Sequence, residues 1–236
     1  MIGRFRFKGD DVAKDIKEKY GFSGKLATLF KNNKGAVVHK WHHYIPIYDK
    51  YLSRYRGKSF KMLEIGVSKG GSIQLWRAYF GEDATIYGID IDPNCAQFDG
   101  QYGQVRIGSQ DDPDFLRAVI EEMGGVDVII DDGSHRMDHI RTSLDTLFPL
   151  LAEDGIYLVE DLHTAYWPEF GGGPLENMNF FRTIGGMIDD MHKWYHDEQP
   201  QVPSTAGYVK AIHIHDSIAV LEKAKIVPPV HSRRGK

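Results

Sequence analysis

Residues 127–161 read DVIIDDGSHRMDHIRTSLDTLFPLLAEDGIYLVED, and their pattern of apolar and acidic residues indicates the fold class. It contains two short apolar runs, DVII and IYLV, which are rich in β-branched residues and typical of buried parallel strands. The segment between them carries apolar residues at spacings of four, three and four, which predicts one apolar helical face: Ile140, Leu144, Leu147 and Leu151. The stretch therefore predicts a β-α-β unit whose two strands end at the same edge of a sheet.

Paired acids follow both strands of this unit: Asp131 and Asp132 after the first, Glu160 and Asp161 after the second. Ligands of open α/β sheets bind at the edge where the strands end. Four carboxylates gathered there predict either a hard cation between them or mutual repulsion that shifts their pKa values. One aspartate could instead cap the following helix, but a cap explains neither the second aspartate nor the second pair.

The alternation of strand and helix patterns extends in both directions from this unit. Further strands are predicted in FKMLEIGV, TIYGIDID and QVRIGS, and a closing antiparallel hairpin in GYVKAIHIHDSIAVLEKAKI. We therefore expect an α/β fold: a Rossmann-like, seven-stranded, mostly parallel sheet with a C-terminal antiparallel hairpin and helices on both faces. The predicted organisation is an N-terminal helical lid or dimerisation segment (1–56), a main domain (57–228) and a flexible tail (229–236).

Composition excludes several classes of protein. The 236 residues are 42% hydrophobic and 26% charged, as in an ordinary globular chain, and the net charge of -4 offers no polycationic surface for nucleic acid. The single cysteine, Cys95, cannot form an intrachain disulfide and suits a reducing compartment. No apolar run approaches the ~18 residues of a membrane helix, and the start lacks the apolar core of a signal peptide. We expect a cytoplasmic protein with no nucleic-acid or membrane partner.

The segment LEIGVSKGGS (63–72) carries the second motif. Gly66 and Gly70 give a G-x-x-x-G spacing, which differs from the G-x-G-x-x-G of dinucleotide-binding folds. Glu64 would be badly placed beside a pyrophosphate and well placed beside a cationic ligand. Asp90 ends the second predicted strand, where an acid can accept both hydroxyls of a ribose.

This order of motifs resembles the class I methyltransferases that use S-adenosylmethionine. Their pattern is an acid-x-Gly-x-x-x-Gly loop, an acid after the second strand and an adenine-contacting turn after the third. The resemblance implies S-adenosylmethionine as cofactor and the following candidate contacts: Glu64, Gly66, Gly70, Ser72, Asp90, Ser109, Gln110, Asp111 and Asp131.

A closer resemblance is carried by DDGSH (131–135), by Glu160-Asp161 and by HTAYWPEFGGG (163–173). These segments are similar to the metal-dependent sugar O-methyltransferases of the macrolide deoxysugar (mycinamicin) type and to relatives acting on mannose polysaccharides. The resemblance implies Mg²⁺ held by Asp132, Glu160 and Asp161, with Asp131 serving the cofactor or taking the place of Asp132. It also implies His135 as general base.

The same resemblance implies a sugar-containing small molecule or oligosaccharide as substrate. We expect His163, Tyr166 and Trp167, in the aromatic loop after the second acid pair, to contact it. The aromatic N-terminal segment predicts a homodimer or a higher homo-oligomer.

Four alternatives remain open at this point. His139 lies one turn after His135, and a histidine pair would suit Zn²⁺ or Fe²⁺ instead of Mg²⁺. The scaffold also resembles cephalosporin-hydroxylase-like oxidative enzymes. The acceptor could be a phenol or catechol, and the chain could be a non-catalytic module that only binds S-adenosylmethionine.

Overall fold

A computed structural model describes residues 2–173 and 179–235. Within these residues the strands are β1 Phe60–Ile65, β2 Ala84–Asp90, β3 Gln104–Ile107, β4 Val126–Asp131, β5 Leu151–Val159, β6 Val209–His215 and β7 Ile218–Lys223. The helices are α1 Val12–Tyr20, α2 Lys25–Lys31, α3 Tyr44–Leu52, α4 Gly71–Phe80, α5 Pro113–Met123, α6 Met137–Leu147 and α7 Phe180–Met191.

In the part of the chain described, one seven-stranded sheet has the order β3-β2-β1-β4-β5-β7-β6. β2 runs parallel to β3, and β4 runs parallel to both β1 and β5. β7 is antiparallel to its neighbours β5 and β6. The predicted fold is therefore confirmed, including the closing hairpin, whose turn is formed by Asp216 and Ser217.

The chain divides into two compact units, residues 1–61 with 67–107 and residues 62–66 with 108–236. The first unit contains α1 to α4, β2 and β3, and its core includes Tyr48, Trp76, Tyr79 and Phe80. α1 ends at Tyr20, because Gly21 adopts the left-handed conformation that closes the helix. The domain boundary predicted near residue 56 stays a prediction.

The second unit contains β4 to β7 and α5 to α7, together with most of β1. α6 buries Ile140, Leu144 and Leu147 as predicted. Leu151, predicted as the fourth residue of that helical face, is instead the first residue of β5. The reason is Pro149, which has no backbone N–H to continue a helix and turns the chain just before the strand.

None of the helices in the described residues is long and apolar enough to cross a membrane. The aromatic loop predicted after the second acid pair contains two short 3₁₀ helices, Leu162–Tyr166 and Pro168–Phe170. Residues 174–178 lie outside the described part of the chain.

Candidate active site

Three side chains converge where β4 and β5 end: Asp132, His135 and Asp161. The Nε2 atom of His135 lies 4.0 Å from Asp132 Oδ1 and 3.8 Å from Asp161 Oδ2. Each side chain is between 21% and 24% exposed, so the cluster is half-buried and open to a small ligand. These separations exceed hydrogen-bond length, which leaves room for an atom between the three groups.

Asp131 occupies a different environment from its neighbour Asp132. It is 1% exposed, and its carboxylate accepts hydrogen bonds from Ser143 Oγ at 2.5 Å and from Gln110 Nε2 at 3.1 Å. Burial raises the pKa of this carboxyl, while the bonds from Ser143 and Gln110 lower it. Tyr157 lies nearby, with its hydroxyl 3.4 Å from the same carboxylate.

Glu160 resembles Asp131 rather than Asp161. Its side chain is 1% exposed, and among the described residues its carboxylate is not part of the cluster. One acid of each pair is therefore buried, while the other joins the cluster. The role predicted for Glu160 as a metal ligand, and that of Asp131 toward the cofactor, therefore stay predictions.

Gln110 holds the loop that carries the cluster. Its Oε1 accepts the Ser134 backbone N–H at 2.6 Å, while its Nε2 donates to Asp131. A Cβ at Gly133 would lie 2.1 Å from Gln110 Oε1, so only glycine leaves space for this contact. The Gln110 side chain is 6% exposed, with its amide inside this network, and the contact with adenine implied by the resemblance stays a prediction.

Gly66 allows β1 to approach the same loop. Its φ is 99°, and a Cβ there would lie 2.1 Å from the carbonyl oxygen of Asp132. The backbone N–H of Asp132 donates to Ile65 O at 2.9 Å. Glu64, in β1, is fully buried and pairs in register with Ile130 of β4.

The loop after Asp161 carries the predicted substrate contacts. His163 Nδ1 lies 2.6 Å from Ser217 Oγ, and its ring packs edge-on against Trp167 at 4.9 Å. Tyr166 is 53% exposed and lies 5.7 Å from Phe181 between ring centres. Sequence reasoning missed Ser217, because a partner 54 residues away along the chain leaves no local signal.

His139 does not join His135. Its Nδ1 lies 3.0 Å from Ser134 Oγ, and its Nε2 lies 3.7 Å from Asp111 Oδ2. Ser109 Oγ accepts the backbone N–H of Asp111, which shapes the turn after β3. Within the described residues the cluster therefore contains one imidazole and two carboxylates.

In the first unit, Asp90 organises the glycine-rich loop. Its Oδ2 accepts the backbone N–H groups of Val67 at 3.0 Å and Ser68 at 2.8 Å. Gly70 caps α4 with φ of 75°, and a Cβ there would lie 2.7 Å from the Phe98 ring. Ser72, in the first turn of α4, is 8% exposed. The cofactor contacts expected of Gly70, Ser72 and Asp90 stay predictions.

A family described as "Methyltransferase domain" matches residues 63–162, the span from β1 to the end of the acid pair after β5. The chain contains a methyltransferase domain. This match covers the glycine loop, Asp90 and the Asp132–His135–Asp161 cluster, so the domain includes most of the residues predicted from the sequence.

The chain is similar to several proteins named as O-methyltransferases. The chain is 33% identical over 228 residues to 8-demethyl-8-(2-methoxy-alpha-L-rhamnosyl)-tetracenomycin-C 3'-O-methyltransferase of Streptomyces olivaceus, covering 92% of this chain and 57% of that protein. It is 34% identical over 196 residues to mycinamicin VI 2''-O-methyltransferase of Micromonospora griseorubida, covering 78% and 49%. The chain thus spans about half the length of the curated relatives it matches.

A solved structure has a similar fold. It is the MycE methyltransferase from the mycinamycin biosynthetic pathway in complex with Mg, S-adenosylhomocysteine (SAH) and mycinamycin VI. The superposition has a TM-score of 0.73 at 28% identity and covers 91% of this chain and 54% of that one. The chain therefore resembles named O-methyltransferases in sequence and the MycE methyltransferase in fold.

Proposed function

We propose that this protein transfers a methyl group from S-adenosylmethionine to a sugar hydroxyl of a glycosylated natural product or polysaccharide, in a Mg²⁺-dependent reaction. The observation that carries the proposal is the Asp132–His135–Asp161 cluster at the ends of β4 and β5. Similarity to enzymes named for methylating rhamnosyl and mycinamicin sugars supports the substrate class.

The donor set of the cluster fits Mg²⁺. Two half-buried carboxylates side by side repel each other unless a cation lies near them, and Mg²⁺ prefers carboxylate oxygen and leaves positions open for substrate. Asp132 and Asp161 would hold the ion, with Glu160 as the further ligand implied by resemblance. When bound, Mg²⁺ supplies positive charge that stabilises the oxygen anion developing on the acceptor hydroxyl.

His135 would act as the general base. Its Nε2 faces both carboxylates, so a hydroxyl bound beside them lies within reach of a neutral imidazole. As the oxygen attacks, the new O–CH₃ bond forms, the S–CH₃ bond breaks with its electron pair going to sulfur, and the proton moves to His135. Such a base contributes about 10²–10⁴-fold to the rate.

Holding acceptor and donor in line supplies a further part of the rate. Tyr166 and Trp167 offer aromatic surface for an apolar sugar face, and His163, fixed by Ser217, lies beside Trp167. The histidine-pair alternative loses support, because His139 bonds to Ser134 and does not belong to the cluster found among the described residues.

The test combines cofactor binding with one matched pair of variants. Calorimetry should detect SAH binding to the wild type, and methyl transfer to a panel of deoxysugar glycosides should require Mg²⁺. Asp132→Asn should raise the Mg²⁺ concentration needed for half-maximal rate. Asp138→Asn, an exposed acid paired with Arg136 in the same segment, should leave it unchanged. Failure to bind SAH, with or without Mg²⁺, would remove the methyltransferase proposal.

We further propose that the protein is a cytoplasmic homo-oligomer. Exposed aromatic side chains in the N-terminal segment support self-association: Phe5 is 58% and Tyr20 is 43% exposed. The single cysteine suits a reducing compartment. Light scattering that gives a monomer mass at micromolar concentration would contradict the oligomer.

A further inference from the structure

Two of the three cluster residues have an unfavourable backbone conformation. His135 has φ of 57° and Asp161 has φ of 54°, both in the left-handed region that residues with a Cβ seldom adopt. Aspartate and histidine tolerate this region better than most residues, but it persists only where surrounding contacts hold it. His135 and Asp161 each supply one side chain to the cluster. The contacts that stabilise their backbone conformation therefore also determine where these side chains lie.

One hydroxyl contacts the carbonyl oxygens of both residues. Thr164 Oγ1 lies 2.8 Å from Asp161 O and 3.1 Å from His135 O, and the residue is 2% exposed. It also donates its backbone N–H to Asp161 O at 3.0 Å. Thr164 therefore links the loop after β4 to the loop after β5 at the two left-handed positions.

The chemistry of threonine suits this position. Its branched Cβ restricts χ1, so the hydroxyl points in a fixed direction once the backbone is set. A hydroxyl carries one hydrogen, which the two carbonyl oxygens share. Because both oxygens contact the same Oγ1 atom, this contact restrains the distance between them. Gly172 packs behind it, since a Cβ there would lie 2.7 Å from the Thr164 carbonyl.

We propose that Thr164 is a positioning residue: its hydroxyl ties the backbone of Asp161, a proposed metal ligand, to that of His135, the proposed base, and by fixing Asp161 it sets the affinity of the cluster for a divalent cation. This inference rests on the proposed metal-dependent function of the same site. Thr164 itself touches neither metal nor substrate in this role. Its effect is transmitted by the backbones of His135 and Asp161, whose side chains belong to the cluster.

The experiment uses Thr164→Val, which keeps the shape of the side chain and removes the hydroxyl. Mn²⁺ binding to the full chain is measured by electron paramagnetic resonance, with SAH present and no acceptor, so the readout does not depend on activity. Removing an outer contact of a metal site typically weakens binding by about 10–100-fold, and we expect an effect of that size. Thr164→Ser, which keeps the hydroxyl, should restore binding toward the wild type.

A matched control is available in Thr205→Val. Thr205 is fully buried, and its hydroxyl also donates to a carbonyl three residues earlier, that of Val202 rather than of a cluster residue. Removal of the Thr205 hydroxyl should lower the melting temperature as much as Thr164→Val does and should leave Mn²⁺ binding unchanged. If Thr164→Val does not fold, Thr164→Ala removes the same hydroxyl without pressing a methyl group against the carbonyls.

The outcomes separate this inference from the proposed function. Equal Mn²⁺ affinity in the wild type and in a folded Thr164 variant would overturn the positioning role and leave the metal site standing. If Thr205→Val weakens Mn²⁺ binding as much as Thr164→Val does, the positioning role is also overturned, because the effect would then reflect a general loss of stability. A wild type that binds SAH but no divalent ion would overturn both the inference and the metal-dependent mechanism.

Discussion

Gln110 is a residue whose predicted and observed surroundings differ. The turn after β3 predicts a contact with adenine, yet both ends of the Gln110 amide bond inside the protein, to Asp131 and to the Ser134 backbone. No local pattern identifies this role, because both partners follow in sequence by more than twenty residues. Gly133 leaves space for the Gln110 side chain. The presence of a glycine at this position in the sequence does not indicate which side chain occupies that space.

Gln110→Met tests which role dominates. Methionine keeps the length of the side chain and removes both bonds, leaving a buried carboxylate and a buried N–H with one partner fewer. We expect the free energy of unfolding to fall by at least about 2 kcal/mol in a denaturant titration.

The control is Gln101→Met, at an exposed position whose amide bonds to Gln97 O. We expect it to change stability by less than about 0.5 kcal/mol. A stable Gln110→Met protein with weakened SAH affinity would instead favour the adenine contact.

His135→Ala tests the proposed general base. Removing the imidazole should lower kcat by about 10²–10⁴-fold, since His135 is the proposed general base for the acceptor hydroxyl. Calorimetric SAH affinity should stay near that of the wild type. His192→Ala, at an exposed position where the ring bonds to Ile188 O, is the matched control and should keep full activity. Loss of SAH binding in His135→Ala would contradict the proposed role of His135 as general base.

The elements of the fold were more predictable than the side chains within them. The β4-α6-β5 unit follows from two β-branched runs and a helical apolar period, and register pairs Asp131 with Val159 where the strands end. The one wrong assignment at its centre, Leu151, came from extending a period across Pro149. The sequence therefore placed the acids at the correct edge. It did not reveal that Asp131 and Glu160 turn inward while Asp132 and Asp161 gather with His135.

A buried lysine fixes the connection between α6 and β5. Lys223, at the end of β7, is 6% exposed and donates to the carbonyls of Phe148, Pro149 and Leu151 at 3.0, 2.9 and 2.6 Å. Replacing it with methionine leaves these carbonyls without their donor. We expect Lys223→Met to destabilise the protein by about 2 kcal/mol in urea, whereas the exposed Lys225→Met should have little effect.

The same lysine predicts a pH dependence. Burial lowers the pKa of Lys223 from its usual 10.5, so the folded chain holds this proton less tightly than the unfolded chain. Between the lowered pKa and 10.5 the unfolded state binds more protons, and stability rises with pH. The stability difference between the wild type and Lys223→Met should therefore grow as pH increases through this window. A difference that stays constant with pH would contradict the pKa shift.

At the scale of the whole molecule, metal dependence is the property that separates the proposed reaction from metal-free methyl transfer. Exhaustive EDTA treatment should stop turnover and added Mg²⁺ should restore it, because the acceptor hydroxyl is a poor nucleophile without a cation near its oxygen. The circular dichroism spectrum should not change on chelation. Full activity after chelation, verified by metal analysis, would remove the ion from the mechanism.

The cluster lies within residues 132–161, inside one β-α-β unit that is continuous in sequence. The aromatic loop that we propose for the acceptor begins immediately after it. In evolutionary terms, a gene segment crossing over beyond Thr164 would exchange Tyr166 and Trp167, proposed here to contact the acceptor, and leave the cluster and its Thr164 contacts in place. The proposed acceptor contacts can therefore vary without any change to the cluster residues or to Thr164.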